Sequence, residues 1–239
     1  MPERLDSSVL GELLGLLAHD LRNPLSALHS NLGFLRSILG AADTDSREAV
    51  DDGLISCDGL AHIIDNIDLL GQALQHTEAR HERSPVDMTT VIEDVAAAVR
   101  SMGQSHGVQI VTSPALGAGT YADTNRELLF RGLGNLVRNS IQHSAPGASV
   151  EMSATATPER ISIVVRDSGS SLGGLGGTVF TALGQLASKS VPHGRYSRGL
   201  GLYSAGIAAA AAGATVRVLP DMAVPAVGNA FELVVPRAK

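Results

Sequence analysis

Tryptophan is absent, aromatic residues make up only 3% of the chain, and Cys57 is the sole cysteine. A core without large rings is built from Leu, Val, Ile and Ala, which suits helix packing. One cysteine cannot form a disulfide within the chain, which fits a reducing compartment. Lysine occurs only at Lys189 and Lys239, and no block of basic residues accompanies the net charge of −6. Nucleic acid and anionic membrane surfaces are therefore not expected partners. No run of about 18 apolar residues is present, so no membrane span is predicted. The first residues lack the basic-then-apolar order of a signal peptide. Together these absences predict a cytoplasmic location.

What is present is apolar material enough for a core: 44% hydrophobic and 18% charged residues over 239 positions. At about 100–200 residues per domain, this is one large domain or two small ones. Leu10, Leu14, Leu17, Leu21, Leu25, Leu28, Leu32, Leu35 and Leu39 recur in steps of three or four, the signature of one long helix face or a coiled-coil seam. Asp6-Ser7-Ser8 can cap its start, and Gly40 with the polar cluster after it ends it. A second helical pattern runs from Val50 to Leu74, and the short link predicts an antiparallel hairpin. Two helices bury an apolar stripe poorly alone, so the spacing predicts a homodimer closed as a four-helix bundle.

His76–Pro85 is charged and aperiodic and reads as a linker. Beyond it, helices are predicted over Val86–Met102, Arg126–Ser144 and Leu200–Ala212, the last ending at Gly213. Strands are predicted at Val108–Val111, near Tyr121, and over Ser149–Ala154, Ile161–Arg166, Thr215–Leu219 and Ala230–Val235. The fold class is α+β: a helical hairpin, then an α/β sandwich with a mixed sheet covered by helices on one face. Ser168–Arg198, rich in Gly and Ser, reads as one long functional loop.

Four constellations carry candidate chemistry. In His19-Asp20-Leu21-Arg22-Asn23-Pro24-Leu25, His19 is displaced from the leucine seam toward solvent. An imidazole, with a reference pKa of about 6.5, offers a neutral nucleophilic nitrogen near pH 7, and Asp20 can orient the other ring nitrogen. Pro24 lacks an N–H, so a local kink is expected. Asn135 and Asn139 share a helical face ending at His143, a set able to ligate Mg²⁺ through oxygen and to bond phosphates. Asp167 ends an apolar strand before Ser168-Gly169, where a carboxylate can accept from the exocyclic amine of adenine and Gly169 permits close approach. Arg198-Gly199-Leu200-Gly201 opens a helix, whose N–H groups suit phosphate. Taken singly, each also reads as ordinary structure: a surface histidine, a loop-capping Asn pair, a strand-to-turn Asp, a glycine turn.

In this order the blocks resemble the sensor histidine kinase family, whose H box, N box and two Gly boxes correspond to His19–Leu25, Asn135–Ser144, Asp167–Gly169 and Gly199–Leu202. Ser84-Pro85-Val86-Asp87-Met88 and Gly228-Asn229-Ala230-Phe231 resemble the entry and the last strand of the gyrase/Hsp90/MutL-type ATP-binding domain. The resemblance implies a dimerisation and phosphoacceptor domain over residues 1–80 and a catalytic ATP-binding domain over 84–239. It further implies ATP-dependent phosphorylation of His19, then transfer to an aspartate of a response regulator receiver domain. Asp20 would be the acid/base partner, and Asn23 would position water for dephosphorylating the regulator. Asn139 would hold Mg²⁺, and Asn135 and His143 would lie near the phosphates. Asp167 would read adenine, with Gly169, Arg198, Gly199, Leu200 and Gly201 shaping the pocket and Ser168–Arg198 as the lid. No sensor is visible, which predicts a separate sensor protein or a missing sensor domain.

The pattern also departs from the family. Gln142 replaces a frequent Lys or Arg, Ser171 a Gly, and Ser197-Arg198 a Gly-Thr. Thr181 and Ala182 follow Phe180 where an acid and a Pro are usual. Losing two charge-assisted hydrogen bonds, each worth about 1.5–3 kcal/mol, would weaken ATP binding about a hundredfold or more. The alternative that follows is a histidine phosphotransfer or adaptor protein with a degenerate ATP-binding domain.

Overall fold

The computed structural model describes residues 7–40, 43–75, 82–117, 119–169, 172, 178–182, 200–219 and 228–238. The chain divides into two compact units, Met1–Ala79 and Arg80–Lys239.

The first unit is a hairpin of two helices, α1 (Ser7–Ile38) and α2 (Thr44–Gln75). Asp6 of the expected cap lies outside the described residues. α1 is helical on both sides of Pro24. α2 begins six residues before the expected Val50. The polar cluster that ends α1 also starts α2, where the Asp43 carboxylate accepts from the Ser46 N–H at 3.4 Å.

The leucine seam splits into two stripes. Ala18 is fully buried, and Leu14, Leu25 and Leu32 are half-buried. Leu10, Leu17, Leu21, Leu28 and Leu35 remain exposed within one hairpin. Along another flank, residues seven apart form a charge ladder between the helices: Arg22–Asp65 at 3.0 Å, His29–Asp58 at 3.6 Å and Arg36–Asp51 at 2.8 Å. Seven residues are two helical turns, so both sides of the ladder keep step along the hairpin. At its open end the helices touch backbone to backbone. A Cβ on Gly11 would lie 2.6 Å from the Gly71 carbonyl oxygen, and one on Gly71 would lie 2.8 Å from that of Gly11.

The second unit opens with β1 (Ser84–Asp87), where the sequence predicted linker and helix. β1 pairs antiparallel with β3 (Tyr121–Thr124), from Ser84 opposite Thr124 to Asp87 opposite Tyr121. Pro85 is tolerated because a two-stranded ribbon leaves one edge unpaired. Asp87 then caps α3 (Met88–Ser105), its carboxylate accepting from Thr89 N at 2.9 Å and Thr90 N at 3.3 Å. The linker's last two described residues, Glu82 and Arg83, lead directly into this ribbon.

The main sheet has five strands in the order β2 (Gln109–Ala115), β4 (Ser149–Ala156), β5 (Arg160–Asp167), β7 (Asn229–Pro236), β6 (Thr215–Leu219). β2 and β4 are parallel and the other pairs antiparallel, so the sheet is mixed as expected. Alternate residues Val150, Met152, Ile161, Ile163, Val165, Phe231, Leu233 and Val235 are buried. They face α3, α4 (Arg126–His143) and α5 (Gly201–Ala211). Gly132 of α4 sits against Ala205 and Ala208 of α5, where small side chains let the helices approach. α5 ends where predicted: Gly213 takes φ +75°, and Ala214 N bonds back to Ala209 O at 2.8 Å.

On the opposite sheet face, Glu232 accepts from Ser162 Oγ at 2.6 Å and pairs with Arg217. Burial pushes its carboxyl pKa up. The hydrogen bonds from Ser162 and Arg217, with the charges of Arg217 and Arg160, outweigh that and hold it below the ordinary 4.5.

Three outcomes are expected. Gly11→Ala should destabilise the hairpin in urea unfolding followed by helical circular dichroism, because the added methyl meets a carbonyl. Gly33→Ala, with open space around its Cβ, should gain about 0.5–1 kcal/mol of helix propensity in the same measurement. Glu232 has a lowered folded pKa, so its stabilisation is present above pH 4.5 and lost as pH falls through the folded value. Glu232→Gln should therefore be less stable than the parent chain at pH 7, with the gap closing below pH 4.5 in a thermal-melt series.

Candidate functional site

His19, Asp20 and Asn23 all lie exposed on α1. Ala18, next to His19, is fully buried, so the helical step turns the imidazole outward with 70% of its side chain accessible. His19 Nδ1 lies 3.3 Å from Asp20 Oδ1. With the proton on Nδ1 toward that carboxylate, Nε2 presents a lone pair to solvent. One turn on, Arg22 is held by Asp65, leaving the approach to His19 free of that cation.

The second constellation is built where α4 crosses the ends of β5 and β7. Asn135 and Asn139 are 2% and 8% exposed, four residues apart on the face of α4 that also buries Leu136 and Ser140. The Asn139 side-chain nitrogen is buried without a hydrogen-bond partner among the described residues. The two amide orientations differ by a half-turn, so this position can offer either an N–H to a phosphate oxygen or a carbonyl oxygen to a hard cation. That orphaned amide is the fit expected of a residue that meets Mg²⁺ or phosphate. His143 is half-buried in the last turn of α4, and Gln142 is exposed.

Asp167, 7% exposed at the end of β5, is fixed from three elements. Ser140 Oγ of α4 donates to Oδ2 at 2.9 Å. The Gly169 N–H donates to Oδ1 at 2.9 Å, and Asn229 Nδ2 of β7 donates to the same oxygen at 3.1 Å. An anion so buried persists because its oxygens meet donors. Asn229 uses its other end as well: Oδ1 accepts the Leu172 N–H at 2.8 Å. Just before it, Gly228 has φ +101°, and a Cβ there would lie 1.8 Å from the Asp167 carbonyl oxygen. Only glycine fits that crossing.

Of the residues expected from the sequence, the structure joins Asp167 to Gly169 and places Asn135, Asn139 and His143 on α4, and it adds two residues that hold Asp167, Ser140 and Asn229. Ser140 stood inside the quoted Asn-rich block, and its signal is its place one residue past Asn139 on a buried face. Asn229 lies opposite Asp167 in the β5–β7 register, a relation that sequence spacing does not show.

The Gly-rich turn is described in part. Leu200 precedes α5 with φ −99° and ψ 10°, and no side chain caps the helix. Gly201, its first residue, has nothing within 4 Å of a built Cβ. Uncapped N–H groups in an open setting are the form an anion site takes. Arg198 and Gly199 lie outside the described residues, as does most of the expected lid Ser168–Arg198. Of that segment, Phe180 is buried, its ring edge-on to Phe231 with centroids 6.2 Å apart. Gly206 of α5 makes room for it: a Cβ there would lie 2.7 Å from the Phe180 carbonyl oxygen. Among the described residues no cluster of three or more His, Cys, Asp or Glu side chains could hold a metal, and no helix is long and apolar enough to cross a membrane.

Comparison with known proteins gives these geometries a family. Residues 9–74 match the His Kinase A (phospho-acceptor) domain, and residues 124–239 match the histidine kinase-, DNA gyrase B- and HSP90-like ATPase. The signal transduction histidine-protein kinase BaeS of Escherichia coli (strain K12) is 24% identical over 152 residues, covering 64% of this chain and 31% of BaeS. Full-length ShkA in complex with AMPPNP shares the fold with a TM-score of 0.63 at 22% identity, over 95% of this chain and 46% of that one. The mycobacterial sensor histidine kinase MprB aligns at 0.51 and 24% identity, over 65% and 97%. The chain therefore spans about a third of BaeS and under half of ShkA. The two matched domains, one holding His19 and the other the Asp167 network, stand in the order expected from the sequence blocks, and the chain belongs to the sensor histidine kinase family.

Proposed function

We propose that the chain is the autokinase core of a two-component signalling protein: His19 takes the γ-phosphoryl group of ATP and passes it to an aspartate of a response regulator receiver domain. The observation that carries this reading is the exposed imidazole with one nitrogen engaged by Asp20 and the other open. Nε2 attacks the γ-phosphorus, the bond from that phosphorus to the β–γ bridging oxygen breaks, and ADP leaves with the electron pair. Positive charge developing on the ring is met by Asp20, which takes up the Nδ1 proton. In the second step a receiver carboxylate oxygen attacks the phosphorus, the N–P bond breaks with its electron pair going to Nε2, and Nδ1 regains the proton from Asp20, so the ring leaves as neutral imidazole.

In the ATP-binding unit, Asp167 accepts a hydrogen bond from the 6-amino group of adenine. The open N–H groups at the start of α5 meet phosphate oxygens, with Gly199 and Arg198 contributing from the same turn. Asn139, flanked by Asn135 and His143, would hold Mg²⁺, which would supply neutralisation of phosphate charge during in-line displacement. Catalysis by this chain is positioning and charge stabilisation.

The exposed stripe Leu10, Leu17, Leu21, Leu28 and Leu35, with Leu60 and Ile63 of α2, is the surface a second copy would cover to close a four-helix bundle. The working protein on this reading is a cytosolic homodimer whose signal arrives from a sensor domain or a separate sensor protein.

With γ-labelled ATP, His19→Ala should take up no label while binding ATP with parental affinity. Asn139→Ala should lose magnesium-dependent ATP binding by about tenfold or more in titration calorimetry. Label in the His19 variant would refute the phosphoacceptor. A parent chain that neither labels nor binds ATP would leave the phosphotransfer module in its place. Light scattering at micromolar concentration should give twice the chain mass, and a monomer there would exclude the bundle.

A further inference from the structure

Asn229 is not needed to build the sheet. Its backbone already pairs β7 with β5, and the opposite residue is Asp167. Its side chain nonetheless turns inward, 8% exposed, and spends both ends on the region around that carboxylate. Nδ2 donates to Asp167 Oδ1 at 3.1 Å, while Oδ1 accepts the Leu172 N–H at 2.8 Å. One rigid, planar amide thus joins the base-reading carboxylate to the described part of the segment that follows it, five residues later in the chain.

We propose that Asn229 is a positioning residue for base recognition: it sets the plane of the Asp167 carboxylate and anchors the root of the following segment, so that holding adenine and seating that root are one event. The proposal rests on the reading of Asp167 as acceptor of the adenine amine.

Geometry supports the coupling. The Gly169 N–H bond is local, made two residues along the same turn, and a carboxylate turning about its last torsion can keep such a bond. Ser140 and Asn229 come instead from α4 and β7, 27 and 62 residues away in sequence, and grip opposite oxygens. Two donors from separate elements on separate oxygens define a plane, whereas one leaves a pivot. Gly228 supports the same arrangement from the backbone: its crossing over the Asp167 carbonyl oxygen fixes the height at which Asn229 enters. Leu172 is itself buried, so the N–H that Asn229 accepts has left water and requires an acceptor.

The test compares two nucleotides on the full chain with magnesium: ATP, and purine riboside triphosphate, which lacks only the 6-amino group. Titration calorimetry should show the parent preferring ATP. In Asn229→Ala, ATP affinity should fall about tenfold and that of the analogue less than about threefold, shrinking the preference. Exchange of the Leu172 amide hydrogen should quicken in the same variant. Equal losses for both nucleotides, or no loss for either, would overturn the proposal, since a merely structural side chain does not distinguish ligands by one amine. If Asn229→Ala does not fold by circular dichroism, Asn229→Ser is read by the same criteria, and a chain that folds with neither assigns Asn229 a structural role and overturns the proposal. A parent chain without preference would instead break the reading of Asp167, and this proposal with it.

Discussion

A carboxylate removed from water costs several kcal/mol unless donors replace the water, and Asp167 is placed where only the surrounding fold can supply them. Ser140 reaches it from α4, Gly169 from its own turn and Asn229 from β7. Meeting that one requirement ties the helix bearing Asn135 and Asn139 to the strand end bearing Asp167. The separation between the amides and the carboxylate is thereby set by core packing, with Leu136, Val165 and Phe231 fully buried around it. A site for a long, two-ended ligand benefits from such a fixed span, because binding then spends little on ordering its own groups.

The hairpin answers the reverse problem. On the proposed reading His19 has to be reached by other molecules, yet it stands on a helix that must bury a stripe to be stable. The division is made residue by residue: Ala18 and Leu25 turn toward α2, the ladder Arg22, His29 and Arg36 holds one flank, and His19 projects between these commitments. Each exposed pair of the ladder is worth little alone, about 0–1 kcal/mol. Its basic side chains are all on α1 and its acids all on α2, so a slip of one turn would break every rung together. Register is what the ladder specifies. The Gly11–Gly71 contact fixes the same register at the other end by sterics.

Much of this was legible because periodicity reports burial directly. Steps of three and four marked α1, α2 and α4, and alternation marked β4, β5 and β7. Candidate site residues stood out where residue types were unusual for their setting: a histidine beside an aspartate, two amides on one face, an aspartate ending an apolar strand. β1 was misread because Val86 continues the apolar spacing of α3 backward, while its strand character comes from pairing with β3, more than thirty residues on. Periodicity is local and cannot see a partner. The block Gly228-Asn229-Ala230-Phe231 was named for its resemblance to a last strand, but its tie to Asp167 runs through the β5–β7 register, which no local pattern reports. α2 began early because the cluster read as a stop for one helix contains the Asp43 cap of the next.

Charge completes the case for how the proposed site would work. A nucleoside triphosphate brings several negative charges, yet the stretch Asn135–Ser144 carries one cation, Arg138, and its guanidinium reaches toward the Met102 sulfur of α3 at 3.8 Å. Gln142 occupies an exposed position on the same helix and is neutral. On the proposed reading, phosphate charge is shared by Arg198, the helix dipole at the start of α5 and the magnesium ion that Asn139 would hold. Neutral Gln142 leaves α4 without a second fixed charge beside that site, so the proposed site would lean more on an ion that arrives with the substrate.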